Sequence, residues 1–414
     1  MKKRSIHLAT LLFVIAMMMM QQSCLKDSAT KTYTIYTPVY KAKAEVIAGI
    51  KTNAPRPVVR PGKLFIRDHY IFLNEIDKGI HVIDNSNPSS PVNKYFIPIP
   101  GNVDLAVKGN TLYADLYRDL ITIDISQPNA IQVTKVIDKV FPQREYTNGF
   151  RQDTTRVIVD WIQKDTTVDI NTNELYYFAQ NAFLLSSQSG TVSNTSPTVG
   201  IGGSMARFAL LNNYLYTVTD RELNVFNIAQ PASPIFSNTV QIGWRIETIY
   251  PFSNKLFIGS QTGMYIYNTT DPVHPSYVSQ FSHMTVCDPV IADNNYAYIT
   301  LRTGTTCVGT FNELNILDIQ DLQNPTLVNT YQLTNPHGLS KSGNTLFICD
   351  GSAGLKVFKT SNVQQLELMQ TIEGLTTYDV IAINNIALVV AADGLYQYDY
   401  SNPSKLILKS KIGY

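Results

Sequence analysis

An all-β fold, a β-propeller of seven four-stranded blades, follows from a recurring strand-and-turn unit, a spacing of about 40 residues between its copies, and the reduction of each copy to short strands. The units read GIHVIDNSNPSSP (Gly79 to Pro91), LITIDISQPNA (Leu120 to Ala130), LNVFNIAQPASP (Leu223 to Pro234), MYIYNTTDPVHP (Met264 to Pro275), LNILDIQDLQNPT (Leu314 to Thr326), LKVFKTSNVQQ (Leu355 to Gln365) and LYQYDYSNPSK (Leu395 to Lys405). Taking Pro88, Pro128, Pro231, Pro272, Pro325, Asn362 and Pro403 as equivalent turn residues gives spacings of 40, 103, 41, 53, 37 and 41 positions. Six blades with one irregular unit is the alternative count.

Each copy divides into four strands, which the second shows plainly: Val103 to Gly109, Thr111 to Leu116, Leu120 to Ile125 and Ile131 to Ile137. The first two strands of a copy are joined by polar doublets such as Gly109-Asn110, Asn212-Asn213, Gly343-Asn344 and Asn384-Asn385. Gly and Asn tolerate the positive φ that tight hairpins require. Asp84, Asp124, Asp318 and Asp399 end the third strand and are expected to cap free turn N–H groups through Asx-type hydrogen bonds.

The rhythm breaks at residues 143–204, a polar insertion that lacks the proline turn and ends in Val199-Gly200-Ile201-Gly202-Gly203-Ser204. It reads as a loop excursion in which VIVDW and ELYYFAQNAFLL pair as a hairpin. No Lys-Ser or Lys-Thr follows the glycines, so they do not form a phosphate loop. Ahead of the repeats, a strand from Tyr33 to Tyr40 is expected to close the ring by adding to the edge of the last blade, because an unpaired edge is a liability.

The first residues read as an address. Lys2, Lys3 and Arg4 precede an apolar run from Leu8 to Met20, shorter than the roughly 20 residues a spanning helix needs. The run ends in Gln22-Ser23-Cys24, which resembles a lipobox with Gln where a small or branched residue is usual. That resemblance divides the chain into a signal peptide (1–23), a tether lipidated at Cys24 (24–62) and the propeller (63–414), and places it in the cell envelope. It would be an outer-membrane lipoprotein, periplasmic or surface-exposed, with the membrane as partner through its lipid.

The strand written IHVID, ITIDI and LNILD, with its S-N-P or D-P turn, resembles the LVIVD repeat from Gly62 to Tyr414. Together with the lipobox, it is similar to LVIVD-repeat propeller lipoproteins of the Bacteroidetes type. The resemblance implies a surface or secreted propeller and assigns no catalytic residue.

With 33 basic and 32 acidic side chains the formal charge is +1, which offers no field of one sign to a nucleic acid. The 24 tyrosines suit half-exposed strand faces and secreted carbohydrate binders alike. Cys287 and Cys307 flank one inner hairpin, and in an oxidising compartment a disulfide closing that loop adds roughly 3 kcal/mol. Cys349, inside TLFICD, reads as a buried free thiol.

Inner strands of a propeller line a channel whose mouth is the usual ligand site. Aligning the hairpins puts Lys63, Asp104, Arg207, Glu247, Asp288, His337 and Asp379 at one level. Such a ring offers a mouth for a polar ligand or a cation, with Asp104, Asp288 and Asp379 as oxygen donors, or it neutralises itself around a wet channel. His69, His81, His274 and His283 lack ligand spacing, and no metal site or cofactor is expected beyond that cation. The sequence therefore favours a monomeric, non-enzymatic scaffold that binds a protein or glycan. The alternative is a hydrolase or lyase whose Asp104, Asp288, Asp379 and His337 converge within about 4–6 Å of one point, with or without a metal.

Overall fold

The computed structural model describes residues 30–144, 150–169, 201–282, 289–303 and 311–414. Seven antiparallel sheets of four consecutive strands form the blades. Blade 1 comprises Pro61–Arg67, Tyr70–Glu75, Gly79–Asp84 and Val92–Pro98, and blade 2 comprises Leu105–Lys108, Thr111–Leu116, Asp119–Asp124 and Gln132–Ile137. Blades 3 to 6 take residues 208–241, 246–282, 290–332 and 339–372, and blade 7 takes Thr377–Ile383, Ile386–Ala391, Gly394–Asp399 and Ile407–Gly413.

The local chemistry sets each blade. Gly109, Asn212, Gly343, Asn384 and Asn385 turn the inner hairpins at φ between 48° and 60°. Asp84, Asp124, Asp318 and Asp399 each accept the backbone N–H two residues on, and Asn227 and Asn268 do the same, all at 2.8–3.1 Å. Every blade carries a register shift between its third and fourth strands, for example at Val82/Ile83 and Gln397/Tyr398. A bulge repeated at one level adds twist to each outer strand.

The core lies between the blades. The middle of each second strand carries a large side chain, Phe72, Tyr113, Tyr216, Phe257, Tyr298, Phe347 or Leu388, at most 2% exposed. Burying each contributes about 1.5–3 kcal/mol. Blades are also stitched through the proline turns. Tyr113 Oη donates to Pro231 O, Tyr216 Oη to Pro272 O, Ser279 Oγ to Leu322 O, Tyr331 Oη to Val363 O, and Ser410 Oγ to Pro88 O. Each acceptor stands four residues after the residue that ends the third strand. Leu322 and Val363, rather than Pro325 and Asn362, are therefore the equivalents of Pro88, and the last four spacings become 41, 50, 41 and 40.

Ring closure needs no added strand. The last blade draws all four strands from Thr377–Gly413, and the expected closing strand pairs elsewhere. Blade 1 meets blade 7 through Leu64, Ile66, Ile71, Leu73 and Ile83 against Ile381, Leu388, Val390 and Leu395. Asn85 and Gln397 exchange amide hydrogen bonds of 3.1 and 2.6 Å across the same seam. Blades 1 and 7 thus meet face to face without a strand contributed by the N-terminal segment.

Strand Thr30–Ala42 instead pairs with Arg156–Asp169, which contains VIVDW. The expected hairpin within the insertion is thus replaced for VIVDW, and ELYYFAQNAFLL lies outside the described residues. The parts up to Thr37 and from Trp161 belong to a small second unit, in which Thr34 Oγ1 donates to Asp165 Oδ1 at 2.7 Å. In the propeller unit, helix α1 (Lys43–Gly49) leads to an arm held on the outer strand of blade 1, where Asn53 and Phe96 exchange backbone hydrogen bonds of 2.9 and 3.1 Å.

Candidate functional site: a polar ring closed by its own chain

Strand register decides which side chains share a level. Thr248 and Asp379 pair with Gly259 and Val390 of the second strands, and one step beyond a ladder pair of their own blades Lys63, Asp104, Arg207, Pro289 and Gly338 stand level with Asn74, Asp115, Val218, Thr300 and Cys349. Four residues of the expected ring hold that level. Glu247 and His337 come one residue earlier, Glu247 as the extra residue of a bulge between Ile246 and Thr248. A bulge interrupts the alternation of side chains, so Glu247 and His337 do not repeat the placement of the four that hold the level. Asp288 lies outside the described residues, as do Cys24, Cys287 and Cys307.

The ring is buried. Lys63, Asp104, Glu247, His337 and Asp379 are between 1% and 8% exposed. Residues 201–206, the end of the glycine run, cross the ring. Ile201 and Gly202 pair with Ile66 and Phe65 at the inner edge of blade 1, and Gly203 N donates to Leu64 O at 3.1 Å. Ser204 Oγ accepts from Leu339 N of blade 6 at 2.7 Å, and Ala206 O accepts from Ile249 N of blade 4 at 2.9 Å. Lys63 Nζ donates to Met205 O and lies 3.4 Å from Asp104 Oδ2, which also accepts Arg207 N.

Gly203 is required by space. A Cβ there would stand 2.2 Å from Asp379 Oδ2, and one at Gly338 would stand 2.2 Å from Asp379 Oδ1. The carboxylate is wedged between two glycines. Gly203 belongs to the glycine run visible in the sequence, but its partner Asp379 lies 176 residues further along the chain.

Electrostatics follow burial. Loss of water pushes the Lys63 ammonium pKa down, against the pull of Asp104. Burial likewise lowers Arg207 and Arg302, each opposed by Glu247. Asp115 is pushed up to about 6 by burial, yet its Oδ1 accepts Val103 N, Asp104 N and Asn102 Nδ2 at 2.8–2.9 Å. Three donors favour the charged form, which leaves it ionised at neutral pH. His337 is driven down to about 3 by burial and by Arg302, so its imidazole is neutral, with Nε2 3.3 Å from Asn335 Nδ2 and the ring edge-on to Tyr378. Among the described residues, no group of three His, Cys, Asp or Glu side chains could hold a metal ion. Cys349 is a free thiol, fully buried.

This arrangement ties five blades to one crossing segment, and its charged groups are turned on each other and on that segment. The molecule is a seven-bladed β-propeller. Four of its stretches, residues 63–95, 101–135, 202–241 and 287–333, match the LVIVD repeat. The third begins within the crossing segment itself.

Solved propellers resemble it at low identity. A periplasmic gluconolactonase of Pseudomonas aeruginosa is 10% identical with a TM-score of 0.53, over 88% of this chain and 96% of that one. A Lactobacillus plantarum protein is 13% identical with a TM-score of 0.53, over 85% and 96%, and the computationally designed Ika8 protein is 10% identical with a TM-score of 0.52, over 88% and 91%. At these identities the likeness concerns the fold alone. No curated protein matches the sequence.

Proposed function

We propose that this protein is a cell-envelope lipoprotein, anchored through Cys24, whose propeller is a non-enzymatic scaffold for a protein or glycan partner. The observation that carries the reading is the segment 201–206 crossing the ring, which occupies the level where a channel-mouth ligand would sit. The enzyme alternative would need Asp104, Asp288, Asp379 and His337 to face one substrate atom, and Asp288 lies outside the described residues. Asp104 accepts from the crossing chain and lies beside Lys63, Asp379 is wedged between Gly203 and Gly338, and His337 sits at the offset register.

Two measurements test it. Expressed in a bacterial envelope, the full chain incorporates labelled palmitate and partitions with membranes, and Cys24→Ser does neither. Turnover of an ester, lactone or glycoside that co-purifies with the protein and vanishes in Asp379→Asn would overturn the scaffold reading.

A further inference from the structure

We propose that the linker between blades 3 and 4 is a docking point for an acidic segment of a protein partner, with Trp244, Arg245 and Arg221 as its anchors; this rests on the scaffold reading. Trp244 is one of two tryptophans in the chain and is 52% exposed. Its guanidinium neighbours lie over the ring, Arg245 at 4.9 Å and Arg221 at 5.9 Å from the centroid. Partly exposed Trp and Arg are the residues that most often anchor protein interfaces.

The backbone presents this cluster rigidly. Ile242 N donates to Arg221 O at 3.0 Å, Ile246 N to Asp220 O at 2.9 Å, and Gln261 N to Arg245 O at 3.0 Å. Gly243 packs on Tyr265, whose hydroxyl would lie 2.6 Å from a Cβ there. Arg245 itself takes φ +54°, as Lys139 after blade 2 takes φ +59°, whereas the linkers at Gly101 and Gly374 enter the left-handed region with glycine. A strained L residue where glycine would serve points to a use for its side chain.

Charge selects the partner. Arg245 Nη1 donates to the neutral Gln261 amide at 2.9 Å, and Arg221 faces Asp220 at 3.5 Å with both side chains more than half exposed. By contrast, Arg144 stacks on Tyr117 at 4.4 Å but is closed off by Asp77 and Gly101 O. The Trp244 pair keeps guanidinium donors open to a carboxylate, which Arg binds through its planar fork.

The test uses the full chain carrying Trp161→Phe, so that Trp244 is the sole tryptophan, titrated with a 20-residue glutamate-rich peptide. The expected result is a saturable change in Trp244 emission, no change with polylysine, and affinity at least about tenfold weaker in Arg245→Gly and Arg221→Gln. Arg245→Gly relieves the strained φ, so its melting temperature holds or rises and misfolding does not explain the loss. An inert peptide, equal binding by Arg245→Gly, or response to polygalacturonate in place of the peptide would overturn the proposal. Peptide binding that survives Arg245→Gly would refute this site and leave the scaffold reading standing.

Discussion

Gly203→Ala tests whether the crossing segment is a structural member of the ring. The new Cβ would meet Asp379 Oδ2 at 2.2 Å and Oδ1 at 3.2 Å. A carboxylate can usually swing aside, but this one is 1% exposed and has Gly338 against its other oxygen. The clash must then be absorbed by backbone shifts in blades 1 or 7, at about 1–3 kcal/mol for overpacking of this kind. With an unfolding entropy near 2.1 cal/mol/K per residue over about 350 residues, that is a fall of about 1.5–4 °C in Tm. Gly413→Ala, where nothing lies within 4 Å of the built Cβ, is the control and should move Tm by a few tenths of a degree. Calorimetry on both variants, repeated in an Asp379→Ala background, completes a double-mutant cycle with an expected coupling of at least about 1 kcal/mol. If Gly203→Ala costs no more than Gly413→Ala, or costs the same with and without the Asp379 carboxylate, the packing argument fails.

Other perturbations read other parts of the fold. Tyr113→Phe and Tyr216→Phe each remove one hydroxyl bond to a turn carbonyl of the next blade and should cost about 0.5–1.5 kcal/mol, adding in the double variant, by urea denaturation. Asn227→Ala deletes an Asx turn and should cost about 1 kcal/mol, while Asn227→Asp should be tolerated, measured the same way. His337 has a folded pKa of about 3 against 6.5 in the unfolded chain, so the unfolded state binds the proton first. Its share of stability is whole above about pH 6.5 and declines towards pH 3 by up to about 1.4 kcal/mol per unit, a slope that His337→Gln should remove from a pH series of denaturation midpoints. Burial holds the Cys349 thiol well above its ordinary pKa, so iodoacetamide should leave it unmodified in the native protein and label it after denaturation, as read by peptide mass spectrometry.

What the sequence made legible was whatever a blade decides for itself. The Asx turns at Asp84 and Asp399 and the Gly and Asn hairpins depend on neighbours within one sheet, and they stand where the pattern put them; Cys349 is buried as its apolar strand implies, between blades 6 and 7. Register was less legible. Pro325 looked like the turn residue because it is a proline, yet the carbonyl that docks the preceding blade belongs to Leu322, three positions earlier. Glu247 and His337 were placed with Asp104 because hairpin alignment cannot see a bulge or a one-residue offset. The general cost of an open edge points the Tyr33 to Tyr40 strand towards blade 7. Nothing local could say that Arg156–Asp169 is its partner.

The crossing segment gathers these long-range effects into one place. A ring of seven inner strands leaves a row of unpaired backbone groups facing the axis, and Ile201–Gly202 satisfies part of that row on blade 1 by adding a short antiparallel strand. At Gly202 and Gly203 there is no room for a side chain, since a Cβ would stand 3.1 Å from the Phe65 ring and 2.2 Å from Asp379 Oδ2. Lys63 then has a use that its position alone did not disclose. Buried at 3% exposure, its ammonium is held by Met205 O and by Asp104, and so couples the crossing segment to blades 1 and 2. Removing that charge by Lys63→Met would leave the Asp104 carboxylate buried with only two backbone donors, Leu105 N on Oδ1 and Arg207 N on Oδ2, and no cation. Breaking a buried pair in this way costs about 3–5 kcal/mol, more than the loss of a hydrogen bond. A urea midpoint that scarcely moves in Lys63→Met would mean that Leu105 N and Arg207 N satisfy Asp104, and that the segment is held by its backbone bonds to blades 1 and 4 and by Ser204 Oγ on blade 6.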